Sequence, residues 1–335
     1  MPLLALVGAL LLLGVGLAAT GNDATAALVA MVRGAFGSPY AFFSQTLLRA
    51  TPLIILGLAV AFAFRSGALN IGAEGQFYAG AIAATWAGVR CAGLPPMIAV
   101  CWVLCAGCVA GMAWGAVPAW LRVRFGVLEV ISTLLLNFVA ESVVSWMVTG
   151  PLQEARRAYP QSDPIAISAH LPLLTGRLHL GFLLALILAG VLWAFCGWTR
   201  LGFEFRAAGA GPKAAETIGR IPVRRRVAQA LLVSGAIAGL AGAIEVSGVS
   251  YALFQSLSPG YGFTAIAVAL LARLDPRAVV LSGILFGALE AGAAGMQRDA
   301  GVPSVIVYVI EAVVIIVVLV AGRRRAVPKS PEDPG

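Results

Sequence analysis

The sequence predicts an all-α, polytopic membrane protein with about ten transmembrane helices. Of its 335 residues, 60% are hydrophobic and 11% are charged, and the mean hydropathy is +0.93. A soluble domain carries roughly 25% charged residues. Apolar windows of about 17–25 residues, the length that crosses a bilayer, recur along almost the whole chain. We therefore expect residues 1–335 to form a single transmembrane domain rather than a string of soluble domains.

Ten windows are predicted to span the membrane. The first is interpreted as an uncleaved helix rather than a signal peptide, because no basic region precedes its apolar core and further spans follow it. The eighth is the shortest. In chain order the windows are 3–19, 44–64, 68–89, 96–117, 127–148, 178–198, 227–247, 262–272, 278–295 and 303–321.

The distribution of cations predicts that both termini lie inside. With this orientation every inner loop carries a cation, as the positive-inside rule requires. A loop at about 150–176 then lies outside, and a basic loop at about 199–226 lies inside. Only seven of the 23 Lys and Arg residues fall on the outer side, namely Arg33, Arg49, Arg90, Arg156, Arg157, Arg177 and Arg298. The net charge of +8 is thus a topology signal, and nucleic acid is not an expected partner.

A polar segment interrupts the hydrocarbon-rich sequence between the second and third windows. It contains two amides, a carboxylate and two glycines, in the order Asn70-Ile71-Gly72-Ala73-Glu74-Gly75-Gln76. Lipid tolerates irregular backbone and ionisable side chains only where they line a cavity or are buried in protein. Asn70, Glu74 and Gln76 are therefore candidates for the lining of a solute path, and hydrogen bonding that only fixes helix packing is the alternative.

The fifth window carries a second polar stripe. Asn137 and Glu141 are four residues apart and share a helical face, and Glu129 lies two turns before Asn137 near the same side. Such a stripe can line a pore or bind a neighbouring helix. Asn137 is included among the candidate path residues. A run of small residues, Gly235 to Ala243, predicts close packing between two helices of the same subunit.

The sequence contains no recognisable catalytic or metal-binding motif. It lacks the glycine-rich phosphate loop that ends in Gly-Lys-Ser/Thr and the His-Glu-x-x-His zinc motif. His170 and His179 are its only histidines, and both lie in or beside the outer loop. Cys101, Cys105 and Cys108 share a helical face and are interpreted as packing residues rather than metal ligands. We expect neither an enzyme nor a metal site.

The basic inner loop favours a short amphipathic helix. Pro212 suits a first helical turn, the following residues favour helix, and Gly219 can end it. Such a helix could lie on anionic lipid, remain solvated or dock on a cytosolic partner.

Four blocks of sequence give the chain a family likeness. From about residue 44 to 321 it resembles permease subunits of bacterial ABC importers for simple sugars and nucleosides, which are related to branched-chain amino acid permeases. It is most similar to the nucleoside type. The blocks are 70–76, 129–137 continuing to Gly150-Pro151-Leu152, 206–248, and Gly262-Phe263-Thr264-Ala265-Ile266-Ala267-Val268-Ala269-Leu270-Leu271.

The resemblance implies a multi-pass permease of the bacterial inner (plasma) membrane that moves nucleosides, or related ribose-containing solutes, into the cytoplasm. It implies a homologous second permease, cytosolic ATPase subunits that hold ATP and Mg²⁺, and an external substrate-binding protein or lipoprotein. No cofactor is expected in this chain. The segment 207–221 would dock on the ATPase, with coupling residues Ala207, Gly209, Ala215, Gly219 and Arg220.

Two departures and several rival interpretations accompany this likeness. Arg220 occupies a position where the family has glycine, and so does Ala272. Simple sugars or branched-chain amino acids are the alternative solutes. An intramembrane enzyme or a membrane scaffold is the alternative of another class.

Overall fold

The computed structural model describes residues 23–302, and six helices within them are long and apolar enough to cross a membrane. A polytopic helical membrane protein is thereby confirmed. The predicted first and tenth windows, 3–19 and 303–321, lie outside the described residues, so the count of ten spans stays a prediction. The six helices are Ala41–Arg65, Pro96–Phe125, Glu129–Thr149, Gly181–Trp198, Val223–Ser250 and Pro276–Ala300.

We number the α-helices of the described residues in chain order. They are α1 Ala24–Phe36, α2 Leu48–Arg65, α3 Ala73–Val89, α4 Pro96–Phe125, α5 Glu129–Thr149, α6 Gly181–Trp198, α7 Arg200–Ala210, α8 Pro212–Thr217, α9 Val223–Glu245, α10 Tyr261–Leu271 and α11 Pro276–Ala300. One π-helical turn, Ala41–Leu47, leads into α2, and another, Val246–Ser250, follows α9. Strands β1, Leu173–Thr175, and β2, Leu178–His179, form an antiparallel hairpin before α6.

Two helices differ from the predicted windows, and a third matches its window but is too short to span the membrane. Helix α3 begins at Ala73 rather than at residue 68, because residues 68–72 are not helical. Helix α4 continues beyond residue 117 to Phe125, through Pro118. Helix α10 matches the short eighth window, but its 11 residues extend only about 16 Å. That is about half of the 30 Å hydrocarbon core, so α10 alone cannot cross the bilayer.

Helix α1 is not among the predicted windows. It has 13 residues and begins with the Asp23 side chain accepting hydrogen bonds from the Thr25 and Ala26 amides, at 2.9 and 3.0 Å. Its Gly34 lies directly against Gly295 near the end of α11. The hydropathy search missed α1 because the helix is shorter than a span.

Helix α2 forms the centre of the described bundle. Every residue from Ala50 to Ala63 is buried, and α9, α10 and α11 all pack against it. A helix that is buried on all sides needs no polar face. This explains why apolar residues occupy every side of α2 rather than one stripe.

Glycines allow α3, α4 and α9 to cross closely. The backbones of Gly107 and Gly111 on α4 contact Gly235 and Gly239 on α9, and Gly80 on α3 approaches Gly239 from another side. Without side chains at these positions the helix backbones can touch. The prediction that the small-residue run packs helices within one subunit is confirmed.

The segment 150–176 is largely extended and lies along the chain that follows α9. The amides of Ser162, Ile165 and Leu171 donate to the carbonyls of Leu253, Tyr251 and Ser247, at 2.9, 2.8 and 2.9 Å. Prolines at 151, 160, 164 and 172 favour such extended and turn structure. The Gln161 side chain and the Tyr159 amide donate to Glu154 and hold the pKa of that carboxyl below its ordinary value.

The glycine crossing can be tested with two alanine substitutions. We expect Gly239→Ala to destabilise the protein by about 1–3 kcal/mol, because its Cβ would overlap the backbones of Gly107 and Gly111 in a packed interior. Gly190→Ala in α6 is the matched control, because nothing lies within 4 Å of its added Cβ and alanine favours helix. Thermal unfolding in detergent measures both variants. Equal stability of the two would contradict the proposed tight crossing.

Candidate functional site

The polar segment 70–76 contains a break between two helices. Helix α2 ends at Arg65, Gly67 has φ of 80°, and the chain resumes helix at Ala73. The backbone groups between these helices cannot use an intrahelical ladder, and buried backbone groups need hydrogen-bond partners. Inside a membrane those partners must come from the protein.

Helix α5 supplies partners for the broken backbone from one face. The Glu129 carboxylate accepts from the Leu69 amide at 3.2 Å, and the Thr133 hydroxyl accepts from the Ile71 amide at 3.2 Å. Asn137 donates to the Ile71 carbonyl at 2.9 Å and accepts from the Gly75 amide at 2.8 Å. Residues 129, 133 and 137 are spaced four apart and therefore form one stripe along the helix. This stripe acts as a substitute ladder for the break.

Asn70 binds the break to α2 and α9. Its side-chain oxygen accepts from the Gly72 amide at 2.9 Å, and its amide nitrogen donates to Gln76 at 2.8 Å and to the Ser234 hydroxyl at 2.9 Å. Ser234 in turn donates to the Ala59 carbonyl in the middle of α2 at 2.8 Å. Asn70 and Gln76 are 0% and 1% exposed, so both amides are engaged inside the chain.

Glu74 binds the beginning of a second helix. Its carboxylate accepts from the Gly262 amide at 2.5 Å, in the first turn of α10. The Ser258 hydroxyl accepts from the neighbouring amides of Gly260 and Tyr261, at 3.1 and 2.9 Å. A helix N-terminus carries unpaired N–H groups and partial positive charge, which a carboxylate stabilises. Glu74 therefore joins the first turn of α3 to the first turn of α10.

Glycine at position 262 is required by this contact. A Cβ there would overlap the Glu74 amide nitrogen, and it would lie 2.6 Å from the Glu74 Cα. Any side chain would therefore push the two helix beginnings apart and lengthen the hydrogen bond between them.

Polar groups also reach the surface of α5. Glu141 is exposed in the middle of this membrane-crossing helix. One turn further along α5, Ser145 accepts a 2.6 Å hydrogen bond from Gln255. A carboxylate that faces hydrocarbon is costly. We refer to Glu141, Ser145 and Gln255 as the polar strip.

The structure divides the residues that the sequence singled out. Asn70, Glu74, Gln76 and Asn137 come together at the break, whereas Glu141, predicted on the face of Asn137, points to the surface instead. Phe77, which follows the break directly, is fully buried against Tyr78 and Tyr261.

Three partners at the break were not identified from the sequence, namely Thr133, Ser234 and Gly262. Thr133 could have been found, because it completes the four-residue spacing between Glu129 and Asn137. Ser234 and Gly262 are 164 and 188 residues from their partners, and no local pattern indicates such pairings.

The predicted coupling segment forms helices α7 and α8. Gly209 packs against the Arg65 carbonyl and the Gly67 amide, so α7 contacts the chain just before the break. Ala215 is 6% exposed and its carbonyl accepts from the Ile221 amide at 2.9 Å. Ala207 also packs against the core, as a partly buried side chain. These three residues therefore pack against the chain itself rather than lying on the exposed surface of the loop.

The other coupling candidates lie on the exposed side of this loop. Gly219 and Arg220 are both exposed, and Ile218 beside them is 86% exposed. Arg220 has φ of 49°, in the left-handed region that favours glycine. The glycine that the family resemblance leads us to expect here would suit this backbone, whereas Arg220 carries the strain of about 1–2 kcal/mol that an L side chain has there.

The cysteines of α4 give no indication of a metal centre. Cys101 and Cys105 are exposed and Cys108 is half-buried, so they face outward rather than packing in the interior as predicted. Among residues 23–302, no group of three or more His, Cys, Asp or Glu side chains is arranged to hold a metal ion.

Asn137 provides a direct test of the substitute ladder. We expect Asn137→Ala to destabilise the chain by about 1–3 kcal/mol, because it leaves the Ile71 carbonyl and the Gly75 amide buried without partners. Ser142→Ala on the same helix is the control, since that hydroxyl is exposed and bonds only its own helix. Both are measured by thermal unfolding in detergent. If Asn137→Ala unfolded at the same temperature as Ser142→Ala, the hydrogen bonds from α5 would not stabilise the break.

The sequence matches a known family and its curated relatives over most of its length. Residues 42–319 match the family described as branched-chain amino acid transport system / permease component. A guanosine ABC transporter permease of Bacillus subtilis is 37% identical over 95% of this chain and 92% of its own length. A glucose ABC transporter permease of Haloferax volcanii is 37% identical over 94% and 85%. A nucleoside ABC transporter permease of Lactococcus lactis is 32% identical over 95% and 90%.

These relatives are transport permeases rather than enzymes, and their family works within transporter complexes. The apolar helices agree with a multi-pass protein of the bacterial plasma membrane. The chain belongs to the branched-chain amino acid transport system / permease component family, the membrane permeases of ABC importers.

Proposed function

We propose that this permease carries nucleosides, or related ribose-containing solutes, into the cytoplasm. The guanosine permease of B. subtilis and the nucleoside permease of L. lactis, both similar over 95% of the chain, support this solute class. The observation that carries the transport path is the polar strip on the surface of a membrane-crossing helix.

The polar strip also supports a second permease subunit as partner. An exposed Glu141 at the middle of α5 is tolerated only if water or protein, rather than lipid, covers that face. A homologous permease that faces α5 across a solute path would supply both. The strip would then line this path and offer a carboxylate, a hydroxyl and an amide to the hydroxyl groups of a ribose.

The four predicted path residues, Asn70, Glu74, Gln76 and Asn137, form the wall behind the polar strip in this proposal. Their side chains are engaged with each other, with the backbone of the break, or with α10. They would contact the solute only in a state in which the break opens. In the described state they keep the wall in place.

The remaining subunits follow the family pattern in this proposal. The domain 1–335 would have ten spans with both termini inside, and ATP and Mg²⁺ would bind in separate cytosolic ATPase subunits. An external substrate-binding protein or lipoprotein would dock on the outer side, which includes the loop at 150–176. The basic loop at 199–226 would face the ATPase, and the exposed edge of α8 is its docking surface.

Movement of the ATPase would reach the break through α7. Gly209 packs on the Arg65 carbonyl and the Gly67 amide, so a displacement of α7 acts directly on the end of α2. From there the chain enters the substitute ladder on α5. The permease would thus change its path by shifting the break against α5.

A simple sugar is the second candidate solute. The glucose permease of H. volcanii is as similar to this chain as the guanosine permease is, and the polar strip could equally bind sugar hydroxyls. Branched-chain amino acids are supported only by the family description.

Uptake by cells that contain this chain and its transport partners tests the function. We expect removal of the chain to abolish uptake of labelled guanosine and to leave glucose uptake unchanged. Glu141→Gln should lower guanosine uptake about tenfold, because the free energy of one hydrogen bond to a charged group corresponds to about a tenfold change in affinity.

Asp299→Asn is the control for Glu141→Gln, because this exposed carboxylate lies at the end of α11, away from α5. It should not change uptake. If removal of the chain abolished glucose uptake but not guanosine uptake, the transported solute would be a sugar rather than a nucleoside. Normal uptake by the Glu141→Gln variant, at equal abundance, would remove the polar strip from the path.

Ile218 tests the docking surface without disturbing the fold. We expect Ile218→Glu to reduce co-purification of the ATPase subunits at least about tenfold, because a buried charge at an interface costs more than about 1.4 kcal/mol. Ile218 is 86% exposed, so the chain itself should remain folded. Substitutions at Gly209 or Ala215 would not separate docking from folding, because both positions are packed within the chain.

Ile167→Glu is the matched control for docking. Ile167 is 85% exposed in the segment predicted outside, so its substitution should leave the ATPase bound. Full ATPase retention with Ile218→Glu would exclude the exposed edge of α8 from the docking surface.

A further inference from the structure

A basic cleft opens at the end of the bundle that carries α7. It has a volume of about 730 Å³ and lies between the end of α2 and the turn that joins α10 to α11. Its charged lining consists of Arg65, Arg273 and Arg277 against a single carboxylate, Asp275. This excess of positive charge lies outside the break and the polar strip, and the proposed transport path does not use it.

Within the described residues, two of the three arginines lack a carboxylate partner. Arg277 binds Asp275 at 3.4 Å, whereas no ion pair is formed by Arg65 or Arg273. Uncompensated guanidinium groups that face one cleft favour an anion.

The backbone fixes the arginine of the turn in an unusual conformation. Arg273 and Leu274 follow each other with φ of 52° and 61°, a conformation that L side chains rarely adopt. The turn is closed by the Leu274 amide donating to the Ala269 carbonyl at 2.9 Å. Strained, over-determined backbone of this kind occurs at binding sites. The adjacent N-terminus of α11 is already occupied, because Asp275 accepts from the Arg277 amide at 2.9 Å.

The surroundings of the cleft place it at the edge of the bilayer. Leu281, one turn beyond Arg277 on α11, lines the cleft and is 72% exposed. The Arg277 guanidinium lies 5.1 Å from the ring centre of Trp193, which stacks edge-on with Trp198 at 4.9 Å. Tryptophan side chains concentrate at membrane–water interfaces. The cleft therefore offers cations for a phosphate and an adjoining apolar surface for acyl chains.

We propose that this cleft binds the phosphodiester headgroup of an anionic phospholipid. Arg65 and Arg273 hold the phosphate, Arg277 contributes from the rim, and the acyl chains run along Leu281 and the tryptophans. The lipid would connect the end of α2 to the turn between α10 and α11, next to the α7 contact at Gly209. A lipid rather than a protein acid is favoured because the apolar wall adjoins the arginines.

The test uses the full chain purified in detergent and native mass spectrometry. It is titrated with phosphatidylglycerol, with phosphatidylcholine of the same acyl chains, and with inorganic phosphate. We expect phosphatidylglycerol to bind best. The double variant Arg65→Gln/Arg273→Gln should weaken its binding about 25-fold, or about fivefold for each arginine, and leave phosphatidylcholine unaffected.

Arg90→Gln/Arg298→Gln is the matched control. Arg90 directly follows the end of α3, and Arg298 lies in the last turn of α11, whereas the cleft is at the first turn of α11. It should keep full phosphatidylglycerol binding. Arg65→Lys/Arg273→Lys should retain most of the affinity, which separates loss of charge from misfolding.

Unchanged phosphatidylglycerol binding in the glutamine double variant would overturn the proposal. Inorganic phosphate that bound as tightly as the lipid would show a site for free phosphate instead. The titration contains no solute, so its outcome is independent of whether the chain carries nucleosides.

Discussion

The hydrogen-bonding demand of broken backbone inside a membrane is the constraint on which the rest of this structure depends. Where the helix stops between Arg65 and Ala73, backbone donors and acceptors lose their intrahelical partners, and lipid offers no replacement. Helix α5 meets this demand with Glu129, Thr133 and Asn137 at a four-residue spacing. The position of α5 against α3 is thereby determined by hydrogen bonds as well as by packing.

Glu74 extends the same constraint to the second half of the chain. Its carboxyl group accepts a hydrogen bond from the Gly262 amide in the first turn of α10, so one side chain joins the beginnings of two helices. The start of α10 would otherwise present the unpaired Gly262 N–H to a low-dielectric interior. Because Gly262 has no side chain, the contact is close, and movement of α3 would be transmitted to α10. A charged side chain near a helix break therefore serves the architecture whether or not it also contacts a solute.

Sequence reasoning recovered what local patterns encode and missed what depends on distant partners. Hydropathy placed the membrane-crossing helices, and the cluster of polar residues at 70–76 located the break. It could not locate α1, which is too short to span, or the late start of α3, because the apolar pattern does not distinguish extended chain from helix over five residues. It placed Asn137 and Glu141 on one face, whereas one is buried and the other exposed. A difference of 40° around a helix decides this outcome, and only the packed neighbours determine it.

Glycine at position 209 explains how the basic loop is connected to the break. Gly209 on α7 contacts the chain at Arg65 and Gly67, which is where α2 ends and the break begins. A side chain at position 209 would separate these elements, and a longer loop at Gly67 would absorb any displacement. In this contact the backbone of α7 lies directly against the backbone at the end of α2, with no flexible side chain between the two. Packed backbone is stiff, because interiors are close-packed and compress little. A displacement of the basic loop must therefore either move the break or unpack α7, and moving the break is the change that would reach the polar strip.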